Sequence, residues 1–189
     1  GGIVGDIEIT NLNTLTIRNS INYGDILTTG TVEASGGIIG KSQDAIVTLS
    51  AVGNEGNINA VNVTGVGGLV GLQIDNTLHV SDVYNTGTIT GSAHVGGLIG
   101  EVRDSVTDVT IERAHNFGNL NGGNGVIGQI SGAALTLTEG VFYLDTASIS
   151  LTAIGTVQIT GDSTSLNTTQ FQDLNTFDNA GWNISTIQN

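Results

Sequence analysis

Short apolar runs broken by glycine and asparagine recur along this chain at a fixed interval. Gly1-Gly2-Ile3-Val4-Gly5 returns as Gly36-Gly37-Ile38-Ile39-Gly40, Gly67-Gly68-Leu69-Val70-Gly71 and Gly96-Gly97-Leu98-Ile99-Gly100, with a degenerate copy at Gly125-Val126-Ile127-Gly128. A second motif, Asn-x-Gly-x-aliphatic, keeps step with it at Asn22 to Ile26, Asn54 to Ile58, Asn85 to Ile89 and Asn116 to Leu120. Its glycines, Gly24, Gly56, Gly87 and Gly118, are 32, 31 and 31 residues apart. Between the two motifs lies a third apolar run in each copy: Leu15-Thr16-Ile17, Ile46-Val47-Thr48-Leu49, Leu78-His79-Val80 and Val109-Thr110-Ile111. The runs are too short for helices, alternate with period 2 and are rich in Val, Ile, Leu and Thr, so they predict strands.

A repeat of about 31 residues with three strands predicts an all-β fold, a parallel β-helix-like β-solenoid. No coil of this size buries its apolar face alone, so coils must stack with equivalent strands in parallel. The expected units are about 1–35, 36–66, 67–95 and 96–124, then a degenerate 125–160, then a cap or linker over 161–189. At about 4.8 Å per paired strand, four to five coils give a rod of roughly 20 to 25 Å. The repeated glycines are expected to allow positive φ and close coil corners, and at Gly68 and Gly97 either positive φ or tight packing is expected to require glycine. The repeated Asn22, Asn54, Asn85 and Asn116 are candidates for a side-chain amide ladder between coils.

Beyond Gly128 the pattern decays through Leu135-Thr136-Leu137-Thr138, Val141-Phe142-Tyr143-Leu144 and Ile154-Gly155-Thr156-Val157. Asn167-Thr168-Thr169-Gln170 has the spacing of a helix capping box, with Phe171 and Leu174 following, and predicts one short amphipathic helix. Trp182, the sole tryptophan, is expected to pack with Phe171 and Phe177 over the last coil. Covering that end matters because bare strand edges invite association.

At these residues the chain resembles the GLUG-motif repeats of bacterial and archaeal surface proteins, whose Gly-Leu-aliphatic-Gly core stands here at Gly68 to Gly71 and Gly97 to Gly100. The resemblance covers about residues 1–128. It extends in looser form through Tyr143-Leu144-Asp145, Ala153 to Thr156 and Phe177 to Trp182. Such repeats sit in adhesins, in other surface proteins and beside the catalytic domain of IgA1-specific zinc metalloproteases. The resemblance implies an extracellular, non-catalytic repeat region and names no ligand.

Composition narrows the function classes. Four Lys plus Arg stand against 17 Asp plus Glu, a net charge of −13. Nucleic acid is excluded as a partner, since binding phosphate needs clustered cations. No apolar run approaches the roughly 18 residues that span a bilayer. Zero Cys removes disulfides, thiol catalysis and thiolate metal sites.

Catalytic patterns are absent. His79, His94 and His115 do not form the His-Glu-x-x-His of a zinc protease. The carboxylate pairs that a glycosidase would need are Asp104 with Asp108, Asp75 with Asp82, or Glu112 beside His115, and all are expected to be solvated flank charges. We therefore expect no enzyme and no cofactor. Calcium is the one metal the charge favours, with Asp104 and Asp108 as its candidate ligands, although no calcium-loop pattern is present. Ice binding would need Thr-x-Thr pairs in register, and Thr14-x-Thr16, Thr86-x-Thr88 and Thr136-x-Thr138 are not expected to align. Three N-glycosylation sequons occur: Asn62-Val63-Thr64, Asn167-Thr168-Thr169 and Asn183-Ile184-Ser185.

The expected role is a structural or adhesive module at the cell surface. Its expected partners are another copy stacked end to end, neighbouring domains of a larger chain, or glycans and cell-surface proteins. The other readings are a self-assembling filament subunit and an accessory domain of a secreted protease or glycosidase.

Overall fold

Strands that alternate apolar in and polar out pair in parallel throughout, and the pairing climbs in layers. The computed structural model describes residues 1–8, 13–122, 126–131, 134–144, 152–154, 158–161 and 163–180. The first layer holds β1 (Val4–Glu8), β2 (Thr14–Asn22) and β3 (Ile26–Leu27). The second holds β4 (Ala34–Gly36), β5 (Ile39–Gln43), β6 (Ile46–Asn54) and β7 (Ile58–Ala60), and the third β8 (Gly65–Gly67), β9 (Val70–Asn85) and β10 (Ile89–Gly91). The fourth holds β11 (Val95–Gly96), β12 (Ile99–Asn116) and β13 (Leu120–Asn121). Above them lie β14 (Ile127–Ser131) and β15 (Ala134–Leu144), then β16 (Thr152–Ile154), β17 (Gln158–Thr160) and β18 (Ser163–Leu166). They form one 11-stranded sheet, a four-stranded sheet β3-β7-β10-β13 and a three-stranded sheet β4-β8-β11, all parallel. The chain is a β-solenoid with coils of about 31 residues and about four turns.

Register sets the core. Ile39, Val70, Ile99 and Ile127 stack in one column, and Val47, Leu78, Val109 and Leu135 in another. These belong to one large buried cluster. A second cluster, Ile58, Ala60, Val63, Val66, Ile89 and Val95, fills the space between the two smaller sheets. A fully buried Val, Leu or Ile is worth about 1.5–3 kcal/mol, so each added coil gains most of its stability from the coil beneath.

Two features depart from the expected coil. In the third and fourth layers the aliphatic end of the double-glycine motif and the middle apolar run join into one continuous strand, of 16 residues in β9 and 18 in β12. A short extra strand (β4, β8, β11) precedes the motif instead. The bends inside the long strands are made by left-handed residues that are not glycine: Asn19 (φ 52°), Ala51 (54°), Asp82 (54°) and Arg113 (42°) occupy one register position in four successive layers. Gly140 (φ 72°) stands at the same corner of the fifth.

The C-terminal cap is two one-turn helices where one was expected. α1 (Thr168–Phe171) starts at a capping box in which Asn167 Oδ1 accepts from the Gln170 N–H and Gln170 Oε1 accepts from the Asn167 N–H, both at 2.9 Å. Asp173 then turns extended and caps α2 (Leu174–Asp178) by accepting from the Asn175 N–H at 3.0 Å. Phe177 packs with Phe142 and Leu166, with Phe171 against them. The expected packing of Trp182 lies outside the described residues.

Candidate functional site

The repeated asparagines close the long strands: Asn22 ends β2, Asn54 β6, Asn85 β9 and Asn116 β12. Parallel register puts them in one column. Asn22 Nδ2 donates to Asn54 Oδ1 at 2.8 Å, Asn54 to Asn85 at 2.7 Å and Asn85 to Asn116 at 2.7 Å. Each Nδ2 also donates to the carbonyl two residues on, Gly24, Gly56, Gly87 or Gly118, at 2.8 to 2.9 Å. Asn54, Asn85 and Asn116 are fully buried, so these bonds form where no water competes. The register partner of Asn116 in the fifth layer is Tyr143, and the ladder ends there.

The ladder explains why the two motifs keep step. A Cβ on Gly37 would lie 2.5 Å from the Asn54 amide carbon, one on Gly68 2.7 Å from that of Asn85, and one on Gly97 2.5 Å from that of Asn116. The second glycine of each motif thus makes room for the asparagine that closes the same coil. The first glycine is excluded from change by backbone: a Cβ on Gly67 would lie 2.6 Å from the Gly100 nitrogen and 2.9 Å from the Leu98 oxygen. Gly40, Gly71 and Gly100 are crowded by the backbone of the neighbouring layer, and Gly56, Gly87 and Gly118 stack carbonyl to Cα. None of these repeat glycines has positive φ; among the described glycines only Gly122, Gly140 and Gly161 do. Of the two expected reasons for glycine, positive φ is corrected and tight packing holds: close approach, not a left-handed backbone, selects glycine here.

The charged residues pair across layers. Arg113 Nε and Nη2 hold the two Asp82 carboxylate oxygens at 2.6 and 3.1 Å, and Arg113 also meets Glu112. Lys41 Nζ lies 3.2 Å from Glu33, Arg103 contacts Glu33, and Arg103 Nη1 is 3.9 Å from the buried Glu101. His94 Nδ1 stands 3.2 Å from the other Glu101 oxygen. Of the candidate acid-base residues, Asp82 and Glu112 are held by Arg113, and Asp108 Oδ2 accepts from Thr110 Oγ1 at 3.1 Å. The Asp104 side chain lies outside the described residues. Among the described residues no group of three or more His, Asp or Glu is gathered to hold a metal.

The three histidines are apart. His79 sits in an outward column with Thr16, Thr48, Thr110 and Thr136. Thr16 and Thr136, from two of the Thr-x-Thr pairs, thus share a column, which corrects in part the expectation that the pairs do not align. The adjoining column, Thr14, Ile46, Thr77, Asp108 and Ala134, is mixed, so the threonines stand one wide. His115 lies beneath the cap, its ring stacked on Tyr84 (centroids 5.6 Å, 13°) and edge-on to Phe177 at 5.6 Å. Burial holds the His115 ring neutral, lowering its pKa to about 4. Burial, and then the 2.8 Å bond from the Tyr84 hydroxyl to Glu55, pushes Tyr84 up to about 12. A cleft of about 310 Å³ lined by Thr86, His115, Phe117, Phe171, Gln172 and Phe177 opens beside them. These groups pack the cap onto the coils.

No protein-family model and no solved structure matches the chain. Among curated proteins it is similar to Halomucin of Haloquadratum walsbyi (strain DSM 16790 / HBSQ001), with 33% identity over 134 residues, 66% of this chain and 1% of that protein. The chain thus spans about 1% of the length of the relative it matches. Among the described residues no helix is long and apolar enough to cross a membrane.

Proposed function

We propose that this chain is a non-catalytic structural repeat module of an extracellular, cell-surface protein, of the GLUG type, that sets spacing by stacking coils. The observation that carries the reading is the interchangeability of the coils. The same asparagine bonds and the same glycine contacts recur from layer to layer, so copy number alone sets length. The similarity to Halomucin supports a place in a large surface protein. The acidic surface keeps such a rod soluble and apart from other anionic polymers. Adhesion to glycans or cell-surface proteins is the finer form of this reading. Protease shaving of intact cells tests the location: loss of the chain without lysis supports it, and protection until lysis overturns it.

One observation favours end-to-end stacking as a second reading. The first layer shows Ile21 at 41%, Tyr23 at 69% and Leu27 at 70% exposure beside the open edges of β2 and β3. That edge fits a further coil carrying asparagine at the ladder position, from the same chain or from a second copy. Electron microscopy scored for filaments separates the two sources.

A further inference from the structure

The three sequons differ in what the fold does with them. Asn183 lies outside the described residues. At Asn167 the carboxamide oxygen holds the Gln170 N–H, and Thr168 and Thr169 form the first turn of α1. On a helix residues i and i+2 do not face each other, so the Asn167 amide and the Thr169 hydroxyl point apart.

Asn62-Val63-Thr64 is built the other way. It lies in the turn between β7 and β8, where Val63 is 2% exposed and anchored in the cluster with Ile58, Val66 and Val95. Asn62 and Thr64 are both exposed. With Val63 pinned inward, the residues on either side of it, Asn62 and Thr64, both face solvent. Among the described residues neither side chain is engaged in a hydrogen bond or ion pair. Both sequon groups are therefore presented together, outward and unspent, on a turn whose position the core fixes.

We propose that Asn62 is an N-glycan acceptor, presented with the Thr64 hydroxyl on the outer face of the β7–β8 turn. The proposal rests on the extracellular reading above. In the transfer, Asn62 Nδ2 bonds to the anomeric carbon of an oligosaccharide activated on a polyprenyl phosphate or diphosphate. The anomeric carbon–oxygen bond to phosphate breaks, the lipid phosphate leaves with that electron pair, and one amide proton passes to a base of the transferase. The product is a bulky hydrophilic group on the rim of the rod, clear of both ladder and cores.

The test is glycopeptide mass spectrometry on the chain from its native host, after separation of surface and cytosolic fractions. The expected result is a surface-fraction fragment carrying Asn62 with added glycan mass. That mass is lost in Asn62→Gln and Thr64→Val and kept in Thr64→Ser, with the Asn167 fragment bare. A surface-fraction chain with bare Asn62, or with glycan at Asn167 as well, overturns the inference and leaves the surface reading standing. A chain confined to the cytosol overturns both.

Discussion

Truncating Asn85 to alanine tests the ladder where it is deepest. Asn85 donates to Asn116 Oδ1 at 2.7 Å and to the Gly87 carbonyl at 2.9 Å, and accepts from Asn54 Nδ2 at 2.7 Å. Removing it strands the Asn116 oxygen and the Gly87 carbonyl and leaves the Asn54 Nδ2 with only its bond to the Gly56 carbonyl. A buried polar group left without a partner costs about 1–3 kcal/mol, so the loss should be roughly 3–6 kcal/mol, a large share of the 5–15 kcal/mol that holds a domain together. For a chain of this size, at about 2–4 °C per kcal/mol, that lowers Tm by roughly 6–24 °C. Asn22 is the internal control. It is half-buried at the open end of the column, donates to one asparagine and accepts from none, and its loss strands one fully buried group, the Asn54 oxygen, so Asn22→Ala should cost about 1–3 kcal/mol, less than Asn85→Ala. Urea denaturation followed by circular dichroism measures both. Equal losses for the two variants, or a loss below about 1 kcal/mol for Asn85→Ala, would refute the claim that the ladder bonds strengthen with burial.

Four further outcomes follow from the same geometry. Gly68→Ala places a Cβ 2.7 Å from the Asn85 amide carbon and against the Gly97 carbonyl, and should cost at least about 3 kcal/mol; Gly5→Ala, with nothing within 4 Å, should cost little in the same melt. Ala51→Gly relieves a left-handed residue at φ 54° and should stabilise by roughly 0.5–1 kcal/mol, since the strain of about 1–2 kcal/mol outweighs the entropy that glycine adds to the unfolded chain; a destabilised Ala51→Gly would contradict it. Burial lowers His115 to about 4, so the fold favours the neutral ring, the unfolded chain takes the proton first, and stability is full above about pH 6.5 and falls as pH drops toward 4. Titrating the urea midpoint should show that slope weakened in His115→Phe, which keeps an aromatic ring on Tyr84. With a net charge of −13, Tm should climb as salt is raised to about 1 M, where the Debye length shrinks to about 3 Å; a flat or falling Tm would show that self-repulsion does not matter here.

The stacked architecture was legible because its motifs are made of residues with no substitute. A coil pressed against its neighbour's backbone leaves no room for a Cβ at Gly36, Gly67 or Gly96, so glycine returns in register and shows the period. The corner at Asn19, Ala51, Asp82 and Arg113 was not legible. It repeats a backbone angle rather than a side chain, and four different residues adopt it. The pairs Asp82 with Arg113 and Glu55 with Tyr84 span 31 and 29 residues. They become visible only when the repeats are written as columns, which also lines up the threonines around His79. The cap was half legible: the Asn167 box was plain, while the break at Asp173 depends on an extended residue that its own side chain stabilises as a second N-cap.

Coils that are interchangeable units held by register can be added without loss. Asn54 and Asn85 are register partners, so Asn54–Tyr84 is one complete coil. Three extra copies inserted before Asn85 should extend the ladder without a break. Small-angle X-ray scattering should show a rod about 14 Å longer, at about 4.8 Å per coil, with unfolding that remains cooperative and a Tm no lower than that of the parent chain. An inserted chain that lengthens by less than one coil, or that melts earlier with part of its strand signal lost, would contradict it.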